Sequence, residues 1–291
     1  MTQSFSPLIA PAALAARLAE PGWAVFDCRH RLADHGYGRR VYAEGHLPGA
    51  RFADTEEHLS GRKTARSGRH PLPDWGAFSA WLGAQGVGPE SRVVAYDDAG
   101  GAIASRLWFM LRVLGHDRVA VLDGGFPAWQ RADLPSGNTP PAPRPARFTG
   151  RPDPALLLEQ EAVAASCGKG DWLLVDARAA ERYRGDTEPI DPRPGHIPGA
   201  INLPFAGNLT PEGTFLPPAR LRERLLAAYG PVPPERTVHY CGSGVTACHN
   251  LLAHAVAGLP LGRLFPGSWS QWCADPARPA ALGEAPGAAA P

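Results

Sequence analysis

The sequence predicts an α/β protein made of two tandem copies of one domain, each with a parallel sheet covered by helices. Three observations support this prediction. Short apolar runs alternate with helical patterns, the chain repeats itself once, and a stretch rich in Pro and Gly separates the two repeats. The chain has 291 residues, enough for about two domains, and 44% of them are apolar, so sizeable cores can be buried.

Four pairs of similar segments carry the repeat and occur in the same order in both halves. They are VFDCR and LVDAR, EGHLPGARF and PGHIPGAIN, VVAYD and TVHYC, and DGGFPAW and PGSWSQW. One such match is expected by chance, but four in register indicate a duplication. The third pair aligns Asp97 of the first half with Cys241 of the second.

Composition suggests where the domains begin and end. We expect an N-terminal domain over residues 1–135, a linker over 136–153, a second domain over 154–276 and a disordered tail over 277–291. The first 20 residues have the pattern of a short amphipathic helix and lack that of a signal peptide.

The elements of the second half follow one another as helix and strand. Helices are expected in DPALLLEQEAVAASC, LRERLLAAY and TACHNLLAHAVAG, and strands in WLLVD, TVHY and RLF. Such alternation is typical of a parallel sheet, which binds ligands outside the carboxyl ends of its strands. Cys241 lies at such an end, directly after TVHY.

Charge and cysteine usage exclude several classes of function. A formal net charge of +1 leaves no basic field for nucleic acid, and no apolar segment approaches the roughly 20 residues that span a bilayer. The five cysteines are irregularly spaced, which favours reduced thiols. We therefore expect a cytoplasmic protein that binds neither nucleic acid nor membrane.

The residues after Cys241 are suited to holding an anionic sulfur. Gly242 and Gly244 allow the backbone to turn its N–H groups inward, and Ser243 and Thr246 add hydroxyl groups. The start of a helix also favours a thiolate over a thiol. The simpler alternative is a structural cysteine beside a turn, but strand, glycine loop and helix together favour a nucleophile.

Here the sequence resembles a known family. CGSGVTA, which begins at Cys241, resembles the active-site loop of the rhodanese superfamily, specifically of the two-domain thiosulfate/3-mercaptopyruvate sulfurtransferases. GHLPGA and GHIPGA resemble a second signature, and DGGFPAW and PGSWSQW a C-terminal one. The resemblance covers nearly the whole chain. It implies two rhodanese-like domains, each a parallel sheet of about five strands flanked by helices on both faces.

The resemblance also implies a reaction. The Cys241 thiolate takes sulfur from a small donor, forms a persulfide and passes the sulfur to cyanide or a thiol, for example thioredoxin. The persulfide is held by backbone N–H groups of Gly242, Gly244, Val245 and Thr246, and no cofactor or metal is needed. Because a carboxylate at Asp97 cannot carry sulfur, the N-terminal domain is expected to be catalytically inactive.

Neutral residues after Cys241 resemble the type that uses 3-mercaptopyruvate, with thiosulfate as the alternative donor. In that type the loop serine, here Ser243, is implied to pair with a histidine and an acid. His70 in GRHPLP matches the histidine, and the acid falls near Glu56, with Asp54 close by.

The resemblance further implies that two arginines hold the carboxylate of the donor, as a planar guanidinium can. Arg182 matches the first position. The second position falls in EPID, which contains no arginine, so Arg193 is the nearest candidate, with Arg184 and Arg178 as further ones.

Three other functions are alternatives for the residues around Cys241. A cysteine phosphatase needs an arginine where the chain has Ala247. A metal site formed by His239, Cys241, Cys248 and His249 lacks the short Cys spacing of structural zinc. A non-catalytic persulfide carrier shares the same loop and remains an alternative.

Overall fold

The computed structural model describes residues 5–167 and 171–286, and these form two compact units. The first unit contains the chain through Gly61, then Leu72–Asp153 and Thr210–Phe215. The second contains Arg62–Pro71, Pro154–Leu209 and the chain from Leu216 onward. Each unit thus includes one short segment from the opposite half of the sequence.

The first unit is built on a parallel sheet in which the strand order is β1-β5-β4-β2-β3. Its strands are β1 (Leu8–Ile9), β2 (Trp23–Asp27), β3 (Arg51–Phe52), β4 (Arg92–Tyr96) and β5 (Val119–Leu122). The flanking helices are α1 (Pro11–Ala15), α2 (Tyr37–Glu44), α3 (Trp75–Ala84), α4 (Ala104–Val113) and α5 (Gly125–Arg131). The central strands are almost continuously apolar because a parallel sheet is covered on both faces.

The second unit repeats this plan with the strand order β7-β6-β8-β9. Its strands are β6 (Leu173–Asp176), β7 (Ile201–Asn202), β8 (Thr237–Tyr240) and β9 (Arg263–Leu264). Its helices are α6 (Gln160–Ser166), α7 (Ala180–Arg184), α8 (Pro218–Tyr229), α9 (Ala247–Val256) and α10 (Ser268–Trp272). A single parallel bridge between Leu157 and Leu264 takes the place that β1 has in the first unit. The predicted pair of parallel-sheet domains is confirmed.

The same buried ion pair stands at the end of the matching strand in each unit. Arg29 binds Asp27 through Nη2 and Oδ2 at 2.6 Å, and Arg178 binds Asp176 through the same atoms at 2.6 Å. In both pairs the backbone N–H of the arginine also donates to the aspartate. Because the two pairs match atom for atom, they support the duplication seen in the sequence.

The GHLPGA and GHIPGA segments serve the fold. His46 stacks on Tyr42 with ring centroids 4.0 Å apart, and His196 stacks on Tyr183 at 3.7 Å. In each pair the histidine Nδ1 lies 2.8 Å from the tyrosine carbonyl oxygen. These histidines are buried and fixed, so the signature repeats in both units as a packing element.

The helix expected from Asp153 begins later than the sequence suggests. Residues Pro154–Leu156 form a 3-10 turn, and Leu157 joins the edge of the sheet before α6 begins at Gln160. The apolar residues at 154–157 therefore form a 3-10 turn and the edge of the sheet, and they do not belong to a helix.

The predicted linker and part of the predicted tail form backbone hydrogen bonds with the units. In the predicted linker, Gly137 forms a bridge with His46, and Ala146 donates to Gly83 O at 2.8 Å. In the predicted tail, Ala281 forms an antiparallel bridge with His196, so structure extends past residue 277. The predicted tail beyond residue 286 lies outside the described residues. No helix in the described part of the chain is long and apolar enough to cross a membrane.

Candidate active site

Cys241 is the first residue after β8, and α9 begins six positions later. Its Sγ accepts a hydrogen bond from the Gly244 N–H at 3.1 Å. Its own main chain is fixed by α10, because its N–H donates to Ser268 Oγ at 3.1 Å and its carbonyl oxygen accepts from the Trp269 N–H at 3.0 Å. The sulfur is thus placed at the carboxyl end of a central strand, against the backbone amide of Gly244.

Gly244 gives this turn its shape. It has a φ of +79°, in the left-handed region that favours glycine, and a Cβ at this position would collide with the Pro266 carbonyl oxygen. The N–H that binds the sulfur therefore depends on the absence of a side chain.

Two guanidinium groups lie beside Gly242. A Cβ built on Gly242 would lie 2.7 Å from Arg69 Nη2 and 3.5 Å from Arg182 Nη1. Cys241 is only 2% exposed, but the groups around its loop are polar and cationic. The Gly244 amide and the two guanidinium groups can stabilise negative charge on the sulfur and on a bound donor.

Ser243 and His70 are brought together, as the resemblance implied. His70 Nδ1 and Ser243 Oγ form a hydrogen bond of 2.7 Å, and both side chains are buried. His70 reaches this position because the segment Arg62–Pro71 belongs to the second unit. Within that segment the Arg69 N–H donates to Ser270 Oγ at 3.0 Å, which anchors it on α10.

Arg69 is a site residue that the sequence reasoning missed. Its Nη1 forms a very short ion pair with Asp191 Oδ1, and its buried Nε has no hydrogen-bond partner among the described residues. The available signal was its position next to His70 in GRHPLP. Nothing in the spacing indicated that a residue this far from Arg182 would lie next to it.

Arg182 is held by two acidic residues. Its Nη2 lies 2.6 Å from Glu188 Oε1 and 3.2 Å from Asp191 Oδ2. Burial alone would raise the pKa of Glu188, but hydrogen bonds from Arg182 and from the backbone of Ile190 and Asp191 outweigh it and lower that pKa. For Asp191 burial dominates and raises the pKa, against the charge of Arg69.

The other candidate arginines are occupied elsewhere. Arg193 donates to the carbonyl oxygens of Pro276 and Arg278, at 3.2 and 2.8 Å. Arg178 is the partner of Asp176 described above, and Arg184 pairs with Asp186 at 2.7 Å. Arg193 thus fastens the C-terminal segment, whereas Arg69 lies beside Arg182. The expectation that Arg193 holds the donor together with Arg182 stays a prediction.

Glu56 lies in the first unit. Its Oε1 is 3.5 Å from His35 Nδ1, and its N–H donates to Asp54 Oδ1 at 2.9 Å. Its expected partnership with His70 and Ser243 stays a prediction.

The four residues weighed as a metal site have other partners. His239 Nε2 lies 3.0 Å from Thr237 Oγ1, and His249 Nδ1 lies 3.2 Å from Asn208 Nδ2. Cys248 Sγ donates to Gly244 O at 3.4 Å. Hydrogen bonds to neighbouring groups thus account for His239, Cys248 and His249.

In the first unit the position of Cys241 is occupied by Asp97. Its carboxylate is fully buried and accepts four backbone hydrogen bonds of 2.7–2.9 Å, from Ala99, Gly101, Ile103 and Ala104. Burial raises the pKa of Asp97, and the four N–H donors oppose that rise. The loop therefore binds an anion that is part of its own chain.

Comparison with known proteins defines the class. The family model "Rhodanese-like domain" matches residues 10–132 and again residues 159–275. Both matches together cover most of the chain, so the protein belongs to the family with rhodanese-like domains, present here in tandem.

Individual relatives show which enzymes of the family the chain is similar to. The chain is 49% identical over 283 residues to a probable 3-mercaptopyruvate sulfurtransferase of Pseudomonas aeruginosa, covering 97% of this chain and all of the relative. It is 41% identical to the putative thiosulfate sulfurtransferase SseB of Mycobacterium tuberculosis, covering 90% and 91% of the two chains. The structure of 3-mercaptopyruvate sulfurtransferase from Leishmania major superposes with a TM-score of 0.80 at 32% identity, covering 91% of this chain and 73% of the other.

Proposed function

We propose that the protein is a sulfurtransferase that moves sulfur from 3-mercaptopyruvate, through a persulfide on Cys241, to a thiophilic acceptor. The names of the Pseudomonas and Leishmania relatives support the donor. The observation that carries the proposal is the Cys241 sulfur itself, held by the Gly244 N–H with two guanidinium groups beside the adjoining glycine.

In this reaction the Cys241 thiolate attacks the sulfur of the donor. The carbon–sulfur bond breaks, its electron pair stays on carbon as the enolate of pyruvate, and a new sulfur–sulfur bond forms on the enzyme. The proton of the donor thiol ends on the enolate carbon, which gives pyruvate and leaves an anionic persulfide. The loop amides from Gly242 to Thr246 are the donors that stabilise this anion.

Ser243 is the proton carrier in this scheme, and His70 orients its hydroxyl through the 2.7 Å hydrogen bond. Glu56 is the proposed third member of the set. Arg182 and Arg69 bind the carboxylate of the donor, since their guanidinium groups flank Gly242, directly next to the nucleophile.

The second half of the reaction transfers the outer sulfur to cyanide or to a thiol, with thioredoxin as a candidate acceptor. The first unit takes no sulfur, because Asp97 stands where the second unit has its nucleophile. The proposed location is the cytoplasm, where thiols stay reduced.

Thiosulfate is the second candidate donor. Two guanidinium groups suit a dianion as well as a carboxylate, and the Mycobacterium relative carries the name of a thiosulfate enzyme. Neutral Gly242 and Ser243 after the nucleophile favour 3-mercaptopyruvate.

The test combines mass measurement with kinetics. After treatment with donor, intact-mass spectrometry should show one added sulfur atom on the wild type. It should show no added sulfur on Cys241→Ser. The control Cys248→Ser, which changes a second buried cysteine of the same loop and helix, should still load. Steady-state rates with cyanide and with a thiol should favour 3-mercaptopyruvate. Equal or better turnover of thiosulfate would reverse the order of donors, and a loaded persulfide without turnover would identify a carrier.

A further inference from the structure

The two arginines beside Gly242 share one carboxylate. Asp191 gives one oxygen to Arg69 and the other to Arg182, and its side chain is only 2% exposed. The guanidinium groups keep 16% and 18% of their side-chain surface exposed. The accessible side of this cluster is therefore the arginine side, and the counter-charge lies behind it.

Asp191 differs from the second acid of the cluster. Glu188 binds Arg182 and Arg178 and also accepts the N–H groups of Ile190 and Asp191, at 3.1 and 3.0 Å. The Asp191 carboxylate receives hydrogen bonds from the two arginines alone among the described residues. Glu188 thus also fixes the backbone of its own loop. In contrast, the Asp191 carboxylate binds only the guanidinium groups of Arg69 and Arg182 within the described part of the chain.

The charges of the cluster balance without a donor. Three guanidinium groups, of Arg69, Arg178 and Arg182, stand against three carboxylates, of Asp176, Glu188 and Asp191. Coulomb energy scales with the charge of the incoming donor, so each negative charge in the cluster opposes a dianion about twice as strongly as a monoanion.

We propose that Asp191 is a specificity-determining residue: by holding Arg69 and Arg182 it limits the positive charge at Gly242 and so favours a singly charged carboxylate donor over the thiosulfate dianion. This inference rests on the proposed function for its substrates. Its electrostatic basis lies in the contacts of Asp191 and is measurable without sulfur transfer.

The kinetic test compares Asp191→Asn with the wild type on both donors. The ratio of kcat/KM for thiosulfate to that for 3-mercaptopyruvate should rise about 10-fold, mainly through the KM for thiosulfate. The matched control is Asp186→Asn, which removes the same charge from an exposed pair with Arg184 in the same unit. It should leave the ratio within about twofold, because an exposed charge is screened. Asp191→Glu keeps the charge and should keep the wild-type ratio.

A second measurement reads the potential at the sulfur directly. Alkylation of Cys241 by iodoacetate, an anion, is compared with alkylation by neutral iodoacetamide, using mass spectrometry of the peptide that contains Cys241. The iodoacetate-to-iodoacetamide rate ratio should rise several-fold in Asp191→Asn and stay unchanged in Asp186→Asn.

The two readouts separate the possible failures. If the alkylation ratio rises while the wild type turns over neither donor, the proposed function fails and the electrostatic role of Asp191 stands. If Asp191→Asn weakens both donors equally and leaves the alkylation ratio unchanged, Asp191 is only a structural brace and the inference is overturned. Should Asp191→Asn not fold, Asp191→Ser removes the same charge and the same outcomes apply.

Discussion

In the first unit the loop between β4 and α4 holds a carboxylate of its own chain, and in the second unit the loop between β8 and α9 holds a sulfur. The frames match, since each loop follows a central parallel strand and leads into a buried helix. The helix begins seven positions after Asp97 but six after Cys241. The first loop is thus one residue longer.

The two loops share a role of the backbone and differ in the side chain at the first position, Asp97 or Cys241. Four amides close on the Asp97 carboxylate, and the Gly244 amide binds the Cys241 sulfur. In both frames, backbone amides of the loop therefore bind the first side chain after the strand. That side chain is a carboxylate at Asp97 and carries a sulfur at Cys241.

The largest expected effect concerns the first loop. Asp97→Ala removes the acceptor of four N–H groups in buried or partly buried hydrogen bonds. At about 1 kcal/mol for each, this should lower the free energy of unfolding by about 4 kcal/mol. Denaturant unfolding measures this. The control Asp117→Ala removes an exposed carboxylate of the same unit and should change stability by less than about 0.5 kcal/mol. Wild-type stability in Asp97→Ala would show that the first loop does not depend on its internal anion.

The next effect is acid sensitivity from a pair of buried histidines that the first unit lacks at the matching positions. His254 is fully buried, with its Nε2 2.7 Å from the Tyr229 hydroxyl, and burial lowers its pKa to about 4. Its ring lies 5.0 Å from that of His239, whose pKa burial also lowers. At the matching positions the first unit has the apolar residues Ala95 and Leu111.

The sign of the effect follows from proton binding. An unfolded histidine gains a proton below about pH 6.5, whereas His254 in the folded state resists protonation down to about pH 4. Stability should therefore fall as the pH drops from 6.5 to 4, by about 3 kcal/mol from this residue. In His254→Leu, which carries the residue type of the first unit, the free energy of unfolding measured in urea should fall less between pH 7 and pH 4.5 than in the wild type. An unchanged pH slope would contradict this assignment.

A somewhat smaller effect is expected at the turn of the second loop. In Gly244→Ala the new Cβ meets the Pro266 carbonyl oxygen at a left-handed φ, so the N–H that binds Cys241 must move. Loss of one such donor should reduce kcat/KM about 10²-fold. Gly258→Ala is the matched control, since its φ is +65° but its Cβ meets open space. It should lose about 1 kcal/mol of stability and keep its activity. Full activity in Gly244→Ala would mean that this amide does not assist the sulfur.

The smallest expected effect concerns the Ser243 hydroxyl, two positions after Cys241. Ser243→Ala leaves His70 without its 2.7 Å partner and should lower kcat/KM for 3-mercaptopyruvate about 10-fold while persulfide loading still occurs. Steady-state kinetics and intact-mass spectrometry together measure this. Ser105→Ala, at a buried serine of the first unit, should leave the rate unchanged. An equal loss in both variants would assign Ser243 a structural role only.

Much of the fold was open to prediction because it rests on local signals. Apolar runs gave the strands, and the internal repeat predicted that both halves share a topology, which the matched pairs of Asp27 with Arg29 and Asp176 with Arg178 support. The position of Cys241 at a strand end followed from the sequence for the same reason.

What escaped prediction depends on contacts between distant residues. Arg69 lies 113 positions before Arg182 in the sequence, yet both side chains lie beside Gly242. Long side chains such as these reach a site from many backbone positions, so residue spacing cannot indicate which arginine arrives there. The structure around Ala281 in the C-terminal segment was not predicted for a related reason. Its order comes from backbone bonds to His196 and not from apolar periodicity.

The position of the segment Arg62–Pro71 ties the two repeats to each other. It is encoded in the first repeat but brings His70 and Arg69 to the second unit, while Thr210–Phe215 contributes in the opposite direction, with the Phe215 N–H bound to Asp123. A fragment that starts at residue 154 would contain Cys241 but neither His70 nor Arg69. Loss of either repeat would therefore also remove a segment that belongs to the other unit.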